Sequence, residues 1–271
     1  AELFIGGAIV FALIAGLNLY LTYRFGRGPQ VAPLPEETLR VVRPMALWGG
    51  IFIIGVAALI FGGAVASRWE IVLGFLNSTP FINSTIDPPQ VLADPQFGQT
   101  IEFYVFKLPF YHMIQGLILG AIVVSLIFSL AMYFVHFSLR GAVFTFTTPV
   151  RVHASILGAL ALIALAWGYW LDVYDLVYSD SGAVVGATYA DVVARAPALR
   201  ALMVIVVLGA FILLANAFFV RGLRLITGVG VLWLGANILL TGLYPGAVQR
   251  LQVDPNELRR EAPYIAYNIA H

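Results

Sequence analysis

The chain has 271 residues, 61% of them hydrophobic and only 11% charged, and 15 basic against 14 acidic side chains leave a net charge of +1. A water-soluble domain carries roughly 45–50% apolar and about 25% charged residues, so this composition excludes a soluble globular domain and a disordered segment. With no charge excess there is no field to attract a nucleic acid, and the absence of cysteine excludes disulfides, thiolate catalysis and cysteine-ligated metals.

A helix needs about 20 apolar residues to cross a hydrocarbon core of about 30 Å. Six stretches qualify: Leu3–Tyr23, Ala46–Ala66, Phe110–Val135, Ala154–Trp170, Leu199–Val220 and Leu225–Tyr244. None shows the two-residue alternation of barrel strands. The predicted fold class is therefore all-α, a polytopic transmembrane helical bundle with about six spans and interfacial outer-loop segments. Residues 1–245 make the transmembrane domain, and 246–271 begin an extracytoplasmic segment.

In chain order, the first span runs into Arg24 and Arg27 and then into a proline-rich connection, partly extended, that carries Arg40 and Arg43. The second span leads to the long loop Ser67–Pro109. RWEIVLGFLN, with Trp69, Val72, Leu73 and Leu76 at helical spacing, predicts a short helix in the outer interface. Pro80, Pro88, Pro89 and Pro95 then break regular structure, and the Asn77 and Asn83 sequons read as turn formers. The aromatic Ile101–Tyr111 is expected to lie along the interface before the third span. Beyond Arg140 and Arg151, the fourth span dissolves into WGYWLDVYDLVY. The loop Leu171–Ala198 turns at Gly182 and Gly186, with Thr188 or Asp191 as a helix cap. Arg221 and Arg224 separate the last two spans.

Eight basic residues (Arg24, Arg27, Arg40, Arg43, Arg140, Arg151, Arg221, Arg224) lie on one side, against four (Arg68, Lys107, Arg195, Arg200) on the other, where Asp87, Asp94, Asp172 and Asp180 also fall. Positive residues stay inside, so both long loops and both chain ends face outward. An outward amino end calls for a further span before Ala1, and the charged stretch up to His271 stops abruptly, so the sequence is expected to continue at both ends.

Candidate chemistry is sparse. His136 ends the third span and His153 begins the fourth at similar depth, and two neutral imidazoles from adjacent helices can ligate a haem or chlorophyll-type pigment. The plainer reading makes them polar residues beside Arg140 and Arg151. His112 lies at the opposite end of the third span, out of reach of His136, and His271 carries no signal. Asp172 and Asp175 are three apart and share one helix face, suited to binding a cation through oxygen. Against that stands a helix end with its acids in water and Trp167 and Trp170, like Trp69, as interface anchors. No ionisable residue lies near a midplane, which weakens an ion-coupled pump. Asn216 and Asn237 read as interhelical hydrogen-bond glue, and the Gly116 and Gly120 pair as a close helix contact. No phosphate loop, nucleophile elbow, zinc signature, dinucleotide fingerprint or internal repeat is present.

Three stretches, Asp94–Tyr111, Ala166–Arg200 and Leu243–Ile269, together resemble uncharacterised protein family zero-one-eight-two, large multi-pass membrane proteins of bacteria, archaea and cyanobacteria. The resemblance implies about seven spans followed by a large extracytoplasmic domain, whose entry PNELRREAPYIAYNI resembles. It implies no catalytic residues. This chain has Leu165 where the family often has a basic residue, which argues against a charge-based role there.

The leading expectation is a membrane-anchoring scaffold of a larger envelope protein in the bacterial cytoplasmic membrane, more a binding domain than an enzyme. The lipid bilayer surrounds it, and its outer loops dock an extracytoplasmic domain or a protein partner, within a membrane complex. A transporter or conduit for a lipid or envelope precursor is the alternative, and a haem- or pigment-binding subunit the third reading. Apart from that pigment, no cofactor is expected.

Overall fold

A computed structural model describes residues 1–25, 35–85, 88–139, 147–182, 185–220 and 222–270. Arg27, Asp87, Arg140, Arg221 and His271, which entered the reading of charges and termini, lie outside the described residues. Among the described residues six helical runs are long and apolar enough to cross a membrane: Glu2–Phe25, Glu36–Ala66, Phe103–Ser138, Thr148–Tyr178, Asp191–Val220 and Leu223–Ile269. The protein is thus a helical multi-pass membrane protein. Sheet among these residues is confined to a ladder of β1 (Ile82–Asn83) with β2 (Gln90–Val91).

Several boundaries differ from the sequence expectation. Helix α2 (Glu36–Ala66) starts at Glu36, so the second half of the proline-rich connection is helical, with Pro44 inside the helix. The short helix α3 (Trp69–Leu76) forms where the spacing predicts it. Ile101–Tyr111 is not a separate interfacial piece: a widened turn at Phe103–Lys107 runs directly into α4 (Leu108–Ser138). The last run does not stop at Tyr244. Helix α7 (Leu223–Asn237) continues through α8 (Tyr244–Val248) into α9 (Glu257–Ala270) by way of widened and tightened turns.

Proline explains these continuations. It lacks an N–H, and its ring crowds the carbonyl four residues back, which ordinarily breaks a helix. Here the residue before Pro109, Pro197, Pro245 and Pro255 bonds five residues back instead of four: Leu108 to Phe103, Ala196 to Asp191, Tyr244 to Leu239 and Asp254 to Gln249. The wider turn absorbs the proline and the helix goes on. At the first of these the released carbonyl of Tyr104 accepts the Tyr178 hydroxyl at 2.9 Å.

The chain packs as two compact units. The first comprises Ala1–Trp69, Leu117–Ala161 and Ala210–Thr227. There α1 (Glu2–Phe25) and α2 form an antiparallel hairpin, and a Cβ on Gly62 would meet the Phe4 carbonyl oxygen at 2.6 Å, so only glycine permits this crossing. Phe11 stacks on Phe61 at 4.1 Å, beside buried Ala15, Ala58 and Ala121.

The second unit comprises Glu70–Gly116, Leu162–Gly209 and Gly228–His271. Its core is aromatic, with Phe103, Tyr104, Leu108 and Leu171 buried against Tyr111, Trp167 and Tyr174. All three stretches that carry the family resemblance fall in this unit.

Candidate functional site

The sequence DPQFG folds into a turn around Asp94, whose carboxylate accepts from the backbone of Gln96 at 3.1 Å and Phe97 at 2.7 Å and from the Tyr104 hydroxyl at 3.0 Å. Gly98 closes the turn at φ +71, a conformation that favours glycine. Tyr104, held on one side by Asp94 and on the other through its carbonyl by Tyr178, fixes the start of the α4 run against the end of α5 (Thr148–Asp175).

That pairing brings His112 to Asp172 and Asp175. The three side chains each offer one ligand atom, all within 4.8 Å of one another. His112 Nε2 lies 2.8 Å from Asp175 Oδ2, and this buried nitrogen has no further polar partner among the described residues. Asp172 has no hydrogen bond and no Arg or Lys partner among the described residues. Sequence reasoning finds the two aspartates and misses the histidine. The available signal is antiparallel hairpin geometry: the start of one span and the end of the next share a face. Measured along its own helix alone, His112 is far from His136 and stands isolated.

A second polar cluster closes the connection between the fourth and fifth helical runs, which is shorter than the expected loop Leu171–Ala198 because α5 runs on to Asp175 and the next helix starts at Asp191. Thr188 and Asp191 form a reciprocal cap: Asp191 Oδ2 accepts from the Thr188 backbone at 3.1 Å and hydroxyl at 2.9 Å, and the Asp191 N–H reaches Thr188 Oγ1 at 3.3 Å. Arg195 donates to the other oxygen of Asp191, at 2.8 Å. Helix α9 completes this helix start from far along the chain. Glu261 Oε2 accepts the Tyr189 N–H at 3.0 Å, Arg260 donates to the Tyr189 hydroxyl at 2.9 Å, and Asn268 donates to the Ala187 carbonyl at 3.3 Å. Gly186, at φ +137, lies so close to Asn268 that a Cβ there would fall 2.3 Å from its side chain.

The two histidines considered for a pigment have other surroundings. His153 is 4% exposed and both ring nitrogens have protein partners in the first unit. The Asn18 amide donates to the Ile14 carbonyl at 2.8 Å, which turns its oxygen toward His153 Nε2 at 3.0 Å. Nδ1 then accepts the Tyr133 hydroxyl at 2.8 Å. A ligating role for His153 would cost one of these bonds. His136 donates Nδ1–H to the Met132 carbonyl at 2.8 Å and lines a cavity of about 620 Å³ with Tyr23, Arg43 and Trp48.

Asn216 is fully buried, donates to Ser155 Oγ at 2.8 Å and accepts the Gly222 N–H at 2.7 Å. Asn237 and Trp233 both donate to the Tyr169 hydroxyl, at 2.6 and 2.9 Å. Gly120 abuts the Phe61 ring, where a Cβ would sit 3.3 Å from it, whereas Gly116 faces open space. Trp69 is half exposed; Trp167 and Trp170 border an apolar recess of about 410 Å³ with Met203, Val207 and Leu208.

Fold and site together define a polytopic helical membrane protein with its polar chemistry gathered at helix ends. The chain belongs to the Uncharacterised protein family (UPF0182), whose model matches residues 1–271. Relatives named "UPF0182 protein" include one from Thermobifida fusca, 34% identical over 99% of this chain and 26% of its own length. Others come from Desulforamulus reducens (37% identical; 78% and 22%) and Pelotomaculum thermopropionicum (38%; 96% and 29%). The chain thus spans about a quarter of the length of the curated relatives it matches. No solved structure matches it.

Proposed function

We propose that this chain is the membrane-embedded anchor of a larger bacterial envelope protein, holding the remaining polypeptide against the outer face of the cytoplasmic membrane. The observation that carries this reading is six apolar helical runs within a chain that spans only about a quarter of its relatives. The outward direction rests on the arginines. Arg24, Arg40, Arg43 and Arg151 sit at helix ends opposite in sequence register to Asp94, Asp172 and Asp180, and basic ends stay in the cytoplasm. Docking of α9 on Tyr189 supports the loop Leu171–Ala198 as the platform for the remaining polypeptide.

Cysteine is absent from these 271 residues, so a cysteine introduced among them reports its own side against the unsubstituted protein. In the full-length protein, an impermeant maleimide on intact cells should label Ser181→Cys and reach Glu36→Cys only after permeabilisation. The reverse pattern overturns the orientation. The polypeptide that follows residue 245, expressed without residues 1–245 or anything before them, should wash off membranes in carbonate, and a remainder that stays bound overturns the anchor.

The apolar recess beside Trp167 and Trp170 favours a second reading, a conduit for a lipid or envelope precursor. A photoactivatable lipid that crosslinks to Met203 would support it; labelling spread evenly over all exposed apolar side chains would count against it.

A further inference from the structure

We infer that His112, Asp172 and Asp175 form a binding site for one divalent transition-metal cation of the zinc kind. The ligand atoms come from two helices, near the start of the α4 run and in the last turn of α5, and converge within 4.8 Å. An ordinary His–Asp ion pair would account for only part of this arrangement. It would engage one carboxylate, through the 2.8 Å contact of His112 with Asp175, while a second, from Asp172, converges on the same place. An ion pair would also leave Asp172 unexplained. Two carboxylates share the cluster, and among the described residues Asp172 has no hydrogen bond and no ion pair with Arg or Lys. A partly buried carboxylate without such a partner is costly, and a cation bridging all three groups removes the cost.

The donor set selects the ion. Calcium and magnesium demand shells of oxygen, whereas one imidazole with two carboxylates suits a borderline cation such as Zn²⁺. Three protein ligands leave an open position, and the 30% and 45% exposure of the His112 and Asp175 side chains provides the side from which an ion enters and water completes its shell.

The test uses the full-length protein in mild detergent, stripped with chelator, then titrated with Zn²⁺ by calorimetry and with Co²⁺ by visible absorption. One saturable equivalent, with Co²⁺ ligand-field bands, should be present in the wild type and in His136→Ala. It should be weakened in His112→Ala and Asp172→Asn by more than the roughly 10- to 100-fold that loss of an outer-shell partner costs. Equal binding in wild type and Asp172→Asn overturns the site, as does the absence of saturable binding. Should the variants fail to fold, protection of His112 itself in the wild type decides. Zn²⁺ should protect His112 from diethyl pyrocarbonate, and unprotected His112 overturns the proposal.

Discussion

At the residue scale, the chain holds its helices together with a few fully satisfied polar contacts rather than with charge. Tyr133, 1% exposed, donates the hydrogen bond that occupies His153 Nδ1. Tyr133→Phe leaves that nitrogen buried and unpaired, a loss of about 1–3 kcal/mol. Denaturant unfolding in detergent should show it, and the loss should shrink when His153→Leu is already present, since no nitrogen then remains to orphan. Glycines give a sharper contrast. A Cβ on Gly168 would meet Gln115 Nε2 at 2.8 Å, where that amide donates to the Ala164 carbonyl at 3.0 Å. Gly168→Ala should therefore lower the melting temperature. Gly116→Ala enters open space and should leave stability unchanged or raise it by about 0.5–1 kcal/mol of helix propensity. The motif reading of Gly116 and Gly120 could not separate the two, because spacing identifies a face without saying what covers it.

At the element scale, proline accounts for the largest departures from expectation. Sequence reasoning takes Pro109 as the end of a loop, whereas the helix runs through it from Phe103. A proline announces a missing hydrogen bond but not whether the preceding turn will widen to accommodate it, and that depends on a distant acceptor's partner such as the Tyr178 hydroxyl. Local signals fare better where the chemistry is local. Thr188 and Asp191, three apart, are readable as a cap because a capping box needs only four residues. The third partner, Glu261, is not readable, being 72 residues away from Tyr189. Glu261→Ala should free α9 from the Tyr189 backbone, and hydrogen exchange over Glu257–Ala270 should quicken while α1 and α2 keep their protection.

At the scale of the whole molecule, hydropathy settles the architecture because lipid admits only helices or closed barrels, and the six apolar stretches lack the alternation of barrel strands. The same constraint separates this surface from that of a soluble protein. Leu13, Phe52, Phe211 and Val231 are 68%, 71%, 64% and 70% exposed, spread over four of the helical runs. In water, contiguous exposure of this kind would drive aggregation. In a bilayer it is the solvent contact. Leu13→Asp, mid-helix and exposed, should disfavour membrane insertion of α1 by about 3 kcal/mol in a translocon insertion assay, although the side chain packs against little protein. An unchanged insertion efficiency would show that this face of α1 does not meet lipid. That His112 joins Asp172 and Asp175 is not legible in the sequence, for a related reason. Spacing along a helix predicts which residues share a face, and pairing between helices decides what that face meets.

The bond from the Tyr189 N–H to Glu261 also sets a clock. Ribosomes add about 5–20 residues per second, so an acceptor 72 positions downstream leaves that amide bare for roughly 4–14 s after it has been made. The fifth helical run is therefore synthesised with its entry unfinished and is completed only after the sixth run has been made as far as Glu261. A ribosome stalled before Glu261 would carry a nascent chain that has threaded the bilayer yet still lacks its final clasp.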